Sequence, residues 1–258
     1  MNPDEPTNPK PPEIHKPVLP QPAIPVQPPP LEPPVPENAD IRTLIEALLR
    51  RPHALAQHLA NPKNGATPKF ALISLISLLL FGIVLGCFAK HEQLWAAPLK
   101  IAAGLLISGA ICFPSLYIFA TLAGSRIQAQ QLAACLTGAL ALAGLLLLGF
   151  SPAIWIFAES TNSFGFMGAL GIGAWIIAVF FAFKFLKQVI FSNGGTQRAP
   201  LTIWCAVFLL VTLQMTTSLR PILGRSPTVL TQEKKFFLEH WSEYFAENLP
   251  TTVTFTEE

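Results

Sequence analysis

FALISLISLLLFGIVLGCFA, residues 70–89, is the stretch on which the fold of this chain turns. It contains no Asp, Glu, Lys or Arg, and Lys69 and Lys90 stand at its two ends. About 20 mostly apolar residues in helical form cross the hydrocarbon core of a bilayer, and a helix pairs its own backbone groups where no water is available. Working outward, four further stretches have the same character. They cover about residues 99–123 (with IAAGLLISGAICFPSLYIFATLA), 131–150 (QLAACLTGALALAGLLLLGF), 164–186 (rich in Gly and Phe) and 201–219 (LTIWCAVFLLVTLQMTTSL). A Lys, Arg or Asp at mid-span costs about 2.5–3.5 kcal/mol, and each Leu, Ile or Phe returns about 0.3–0.6 kcal/mol. A soluble domain of this size would need polar outer faces on most of its helices, and these segments have none. The expected fold class is therefore all-α: a polytopic membrane bundle of five transmembrane helices over residues 69–220.

Composition supports this once it is divided by position. The chain has 258 residues, 51% of them hydrophobic and 12% charged, with a net charge of +2; soluble domains carry about 25% charged residues. Fifteen of the 25 Pro fall between Pro3 and Pro36, and residues 69–220 hold only ten of the 32 charged side chains. The net charge divides into −1 for residues 1–68, +6 for 69–220 and −3 for 221–258. No dense Lys/Arg patch with interleaved aromatics exists, so nucleic acid is not an expected partner. The four Cys lie singly in apolar stretches, which argues against a secreted disulfide scaffold. Residues 1–30 carry no apolar signal region.

Charges near the spans set an expected orientation. With the N-terminus in the cytoplasm, Lys63, Lys69, Arg126, Lys184, Lys187 and Arg198 lie inside, and Lys90, Lys100, Arg220 and Arg225 lie outside. Arg50 and Arg51 add to the inside set, and residues 151–163 are read as an outside loop with no basic residue. The expected localisation is integral, multi-pass, in a prokaryotic inner membrane, with the C-terminus outside. Trp95, Trp155, Trp204 and Tyr117 fall near span ends, where amphipathic rings favour the interface. Pro114 is expected to kink the second span.

Small residues at four-residue spacing let helices approach closely in lipid, where packing rather than water expulsion drives association. Gly82 and Gly86 in the first span, Gly104 and Ser108 in the second, and Gly165, Ala169 and Gly173 in the fourth are the helix-packing candidates. The outer half of the fifth span is unusually polar, with Thr212, Gln214, Thr216 and Thr217. These groups are expected to bond to neighbouring helices or, alternatively, to line a small polar cavity.

The flanks differ from the spans. Residues 1–37 are too Pro-rich and aromatic-poor to form a core and are expected to be a disordered or polyproline II arm. The arm contains PxxP frames at Pro17–Pro20, Pro22–Pro25 and Pro25–Pro28, which can dock on an aromatic groove of a protein partner. No Arg or Lys flanks them at the spacing that orients such docking, so the arm is read first as a spacer and second as a PxxP ligand. Residues 38–68 form an amphipathic segment in which Ile41, Leu44, Ile45, Leu48 and Leu49 share a helical face. Asn38 or Asp40 is available as a cap, Glu46 stands four before Arg50, and Pro52 ends the helix at Arg51. This segment is expected to lie in the interface or on the bundle. Residues 221–258 form an amphipathic aromatic tail, with Phe237, Leu238, Trp241, Phe245 and Leu249 at helical spacing, expected to cover the outer end of the bundle.

The search for catalytic groups finds no constellation. The five His lie outside the spans, and His53 and His58 are spaced to point apart on a helix. Ser115 has no intramembrane His to activate it. No phosphate-binding glycine loop occurs, and no ionisable residue sits at mid-span, as transport chemistry usually requires. No catalytic, cofactor or metal residue is assigned, and the chain is not expected to be an enzyme.

Five closely spaced spans after a Pro-rich N-terminus and an amphipathic segment resemble the Yip (Ypt-interacting protein) family. The strings PLKIAAGLLISGAICFPSLYIF (98–119) and MTTSLRPILG (215–224) are similar to prokaryotic membrane proteins grouped with that family. The resemblance covers about residues 39–225. It implies a non-catalytic scaffold or membrane-organising protein. The expected partners are the lipid bilayer, a protein at the Pro-rich arm and further chains in a homo- or hetero-oligomer. The family's Asp-Leu-x-Gly-Pro type motif does not occur here, so no binding residue is carried over. The alternatives are a small channel or transporter and an accessory subunit of a multi-chain membrane complex.

Overall fold

The computed structural model describes residues 34–36, 38–59, 65–89, 93–160 and 164–218. All of them belong to one unit, residues 32–258. Seven helices and no strand occur among the described residues: α1 (Ile41–Arg50), α2 (Pro52–Leu59), α3 (Ala66–Ala89), α4 (Gln93–Leu122), α5 (Ala129–Ser160), α6 (Phe164–Ser192) and α7 (Ala199–Ser218). The expectations for the Pro-rich arm and for the aromatic tail after Thr228 lie outside the described residues.

Four helices are long and apolar enough to cross a membrane: 66–87 of α3, 97–122 of α4, all of α5 and 166–192 of α6. That is the pattern of a multi-pass membrane protein. The fifth expected span corresponds to α7, whose apolar part, Ala199–Met215, is shorter than these four.

One expected boundary is corrected. Residues 151–163 are not a loop from Ser151 onward, because α5 continues through Pro152 to Ser160. Pro152 removes one backbone donor, which an apolar helix tolerates. The residues after it, Ile154 to Phe157, remain apolar, and Ile154 is buried. At about 1.5 Å per residue, α5 is longer than the roughly 30 Å hydrocarbon core. Trp155, Ile156 and Phe157 near its far end are exposed.

The helices alternate in direction and pack in the order α6–α5–α3–α4–α7, with the largest contact between α3 and α5 and a smaller one between α4 and α5. α1 and α2 pack beneath one end of this row, α1 against α3 and α5, and α2 against α5 and α6. This docked end collects the N-termini of α3, α5 and α7 and the C-termini of α4 and α6.

The amphipathic segment therefore lies on the bundle, with part of its face assigned differently from expectation. Leu44, Ala47 and Leu48 are buried, whereas Ile41 and Leu49 are exposed. Asp40 occupies the N-cap position without a side-chain cap bond. Glu46 pairs with Arg51 at 2.9 Å rather than with Arg50. The reason is local: Arg51 leaves the helical region (φ −131°, ψ 58°) ahead of Pro52, so its side chain reaches back along α1. Pro52 then opens α2, where its missing N–H costs nothing. Lys69 at the start of α3 donates to the Ala39 carbonyl at 2.8 Å and ties the beginning of α1 to the bundle.

Candidate functional site

The sequence's packing candidates fall in different surroundings. Gly82 lies directly against Pro98 of α4, so that a Cβ there would collide with the Pro98 backbone. Gly86 and Gly104 are buried, and the Gly104 carbonyl accepts the Ser108 hydroxyl at 2.6 Å. On α6, Ala169 is exposed and Gly173 has nothing within 4 Å of where a Cβ would be; that part of the stripe faces away from the bundle. The surroundings of Gly165 lie outside what is described.

Further close approaches occur at glycines outside the packing candidates. A Cβ on Gly144 of α5 would stand 3.1 Å from Ser77 Cβ and 3.4 Å from the Ser74 carbonyl of α3. One on Gly138 would stand 3.3 Å from the Phe185 ring of α6, and one on Gly109 of α4 would stand 2.8 Å from Leu140 of α5. The signal was present in the small pairs Ala134/Gly138 and Ala139/Ala143 of TGALALAG and its flank.

Polar groups inside the bundle mostly turn back on their own helices. Ser77 donates to the Ile73 carbonyl at 2.6 Å, Thr137 to Ala133 at 2.9 Å and Thr212 to Phe208 at 2.8 Å. Such bonds satisfy a hydroxyl in lipid without a partner helix. Thr212 is buried and Gln214 half-buried, while the side chains of Thr216 and Thr217 lie outside the described residues.

Trp204, near the start of α7, turns into the bundle. It is 1% exposed, and its indole N–H donates to the Cys112 carbonyl (3.2 Å) and to Ser115 Oγ (3.1 Å) of α4. Ser115 in turn donates to the Cys112 carbonyl at 2.8 Å, so it serves as a structural hydroxyl. A buried indole needs such a partner, and α4 supplies it beside Pro114. Tyr117 and Trp155 are exposed, and Trp95 has no described side chain.

α6 and α7 are not among the closely packed pairs. Aromatic rings span the seam between them: Phe183 of α6 lies edge-on to Trp204 (6.2 Å between centroids) and to Phe208 (5.6 Å) of α7. Behind these rings lies about 290 Å³ of unfilled space, part of it open to the exterior. It is lined only by apolar residues of α4, α5, α6 and α7, among them Leu105, Leu140, Ala182, Phe183, Trp204 and Phe208.

The docked end below this seam is basic. Lys187 of α6, half-buried, donates to Thr202 Oγ1 of α7 at 3.3 Å, and Thr202 donates to the Arg198 carbonyl at 3.0 Å. Lys184 and Arg198, near Lys187 in sequence, are exposed, as is Arg126 between α4 and α5. Among the described residues the only ion pair is Arg51–Glu46. Two loops are locked together here. Gly124 (φ 87°) and Gly194 (φ 95°) end α4 and α6 in left-handed turns, each with the paired backbone bonds of a Schellman cap. The Ala123 carbonyl accepts from Thr196 N–H (2.8 Å) and Gln197 N–H (3.1 Å), and the Asn193 carbonyl from Arg126 N–H (3.2 Å). His53 Nδ1 of α2 lies 3.0 Å from Gln188 Nε2 of α6, while His58 is buried. Among the described residues no three of His, Cys, Asp and Glu come together.

Against protein-family models, curated proteins and solved structures, the chain matches none.

Proposed function

We propose that this chain is a non-enzymatic membrane bundle of five spans that organises other proteins or the bilayer, as its resemblance to Yip-family proteins implies. The observation that carries the reading is the character of the interior: the unfilled space among α4–α7 is lined by apolar residues alone. An aqueous path needs polar groups along its wall, and Ser77, Thr137 and Thr212 spend their hydroxyls on their own helices. This favours a scaffold over a channel or transporter.

In this reading the N-terminus is cytoplasmic, and the docked end with Lys69, Arg126, Lys184, Lys187 and Arg198 faces the cytoplasm. The Pro-rich residues are then cytoplasmic and offer their PxxP frames to a protein partner. The expected result is a specific copurifying protein that is lost on deletion of residues 1–37, together with no ion flux in liposomes. Flux that disappears in Gln214→Leu would overturn the scaffold reading. Single-Cys labelling of S160C and S192C in a Cys-free background tests the orientation. Position 160 is expected outside and 192 inside, and the opposite pattern inverts the topology.

A further inference from the structure

We infer that the seam between α6 and α7 is a binding site for an anionic phospholipid, its phosphate at the docked end and one acyl chain lying along the seam. The inference rests on the chain being a membrane protein and is independent of any partner for the Pro-rich residues.

Two features meet at this seam. The first is incomplete packing. Each other sequential pair of apolar helices, α3–α4, α4–α5 and α5–α6, is in close contact, but α6–α7 is not; the rings of Phe183, Trp204 and Phe208 and the Lys187–Thr202 bond bridge it. The space behind them is apolar, and in lipid the natural filler of an apolar gap is a hydrocarbon chain. The whole space has only about 20 Å³ of clear room, roughly one water-sized body, so the acyl chain lies along the outer side of the seam, its flank against the rings, and not inside it.

The second feature is charge. The seam closes at the docked end on Lys187, which reaches across it to Thr202. Lys184 stands one turn before Lys187 on α6, and Arg198 one turn before Thr202 at the start of α7. None of the three has a carboxylate within 4 Å among the described residues, where Arg51–Glu46 is the only ion pair. A phosphodiester supplies the missing negative charge at the depth where lysine side chains reach headgroups. Lys187 holds a hydroxyl at 3.3 Å, a long contact that a phosphate oxygen can replace. An apolar seam ending in unpaired cations matches a lipid with an anionic head, and a zwitterionic one less well.

The test uses the full chain in lipid nanodiscs with a trace of phosphatidylglycerol carrying a photoreactive diazirine in mid-chain. Crosslinks are expected on α6 and α7 around Ala182–Leu186 and Ile203–Phe208, displaced by unlabelled phosphatidylglycerol but not by phosphatidylcholine or inorganic phosphate. Lys187→Gln and Arg198→Gln are each expected to weaken competition about fivefold, the size of one headgroup cation contact. Phe183→Ala, which removes the ring that flanks the acyl chain and leaves every cation in place, is expected to reduce the label, with thermal unfolding in zwitterionic detergent confirming that each variant is folded. Labelling spread evenly over α3, α4 and α6, or unaffected by the charge variants, overturns the site. So does equal competition by phosphatidylcholine, and displacement by inorganic phosphate overturns the lipid as its occupant.

Discussion

Helices α5 and α6 have the same mean hydropathy, 2.2 over their most apolar windows, yet 67% of the α5 window is buried and only 28% of the α6 window. Their residue sizes differ more than their polarity. α5 places Gly138 and Gly144 where α6 and α3 come closest. α6 instead turns Ile176, Ile177, Phe180 and Phe181 outward, each more than 40% exposed. In a bilayer an outward Phe loses nothing, because the surrounding chains are as apolar as the core. Hydropathy thus measures only whether a helix belongs in lipid. Which helix occupies the centre is set by where small residues let backbones meet.

The comparison can be broken at its strongest point by Gly144→Leu. The new side chain meets Ser77, Leu78 and the Ser74 backbone of α3, so a loss of about 3 kcal/mol in unfolding free energy is expected in detergent–lipid micelles. Next is Phe185→Ala, which empties the ring that fills the Gly138 notch; about 2 kcal/mol is expected, less than in a soluble core because no water is involved. Trp204→Phe keeps the ring but loses both indole hydrogen bonds to α4. In lipid that amounts to about 1 kcal/mol, and tryptophan fluorescence of the variant, compared with the parent, should lose its most shielded component. At the bottom, Gly173→Leu on α6 meets nothing within 4 Å and should stay within about 0.5 kcal/mol of the parent. If Gly173→Leu costs as much as Gly144→Leu, a second chain packs on α6 and the asymmetry belongs to an oligomer.

Much of the helix inventory was legible from the apolar runs, since mean polarity over about 20 residues needs no neighbour to interpret it. The ends were less so. α5 passes Pro152 because the apolar run resumes after it, and a proline is a weak stop where neighbouring helices and lipid leave no water to take the freed carbonyl. Trp204 looked like an interfacial ring by position, and only the packing of α4 beside α7 gives its N–H a buried partner. The α6 spacing of Gly165, Ala169 and Gly173 looked as good as that of Gly82 and Gly86, yet Gly82 meets Pro98 and Gly173 meets nothing. The docked end was readable only in part: the periodicity of Leu44 and Leu48 showed a buried face, but the clasp of Ala123 with Thr196 joins loops far apart in sequence.

Sequence alone determined that the middle of this chain is helical and apolar, where its basic residues gather, and where its Pro-rich residues begin and end. Those properties add up residue by residue along one dimension, so no contact is needed to read them. Tertiary structure alone decided that α5 is the most buried of the four long helices, that Trp204 is buried against α4, and that α6 and α7 stand apart above Lys187 and Thr202. Each of these depends on which surfaces meet, and within lipid every apolar surface is equally content to meet another helix or a hydrocarbon chain.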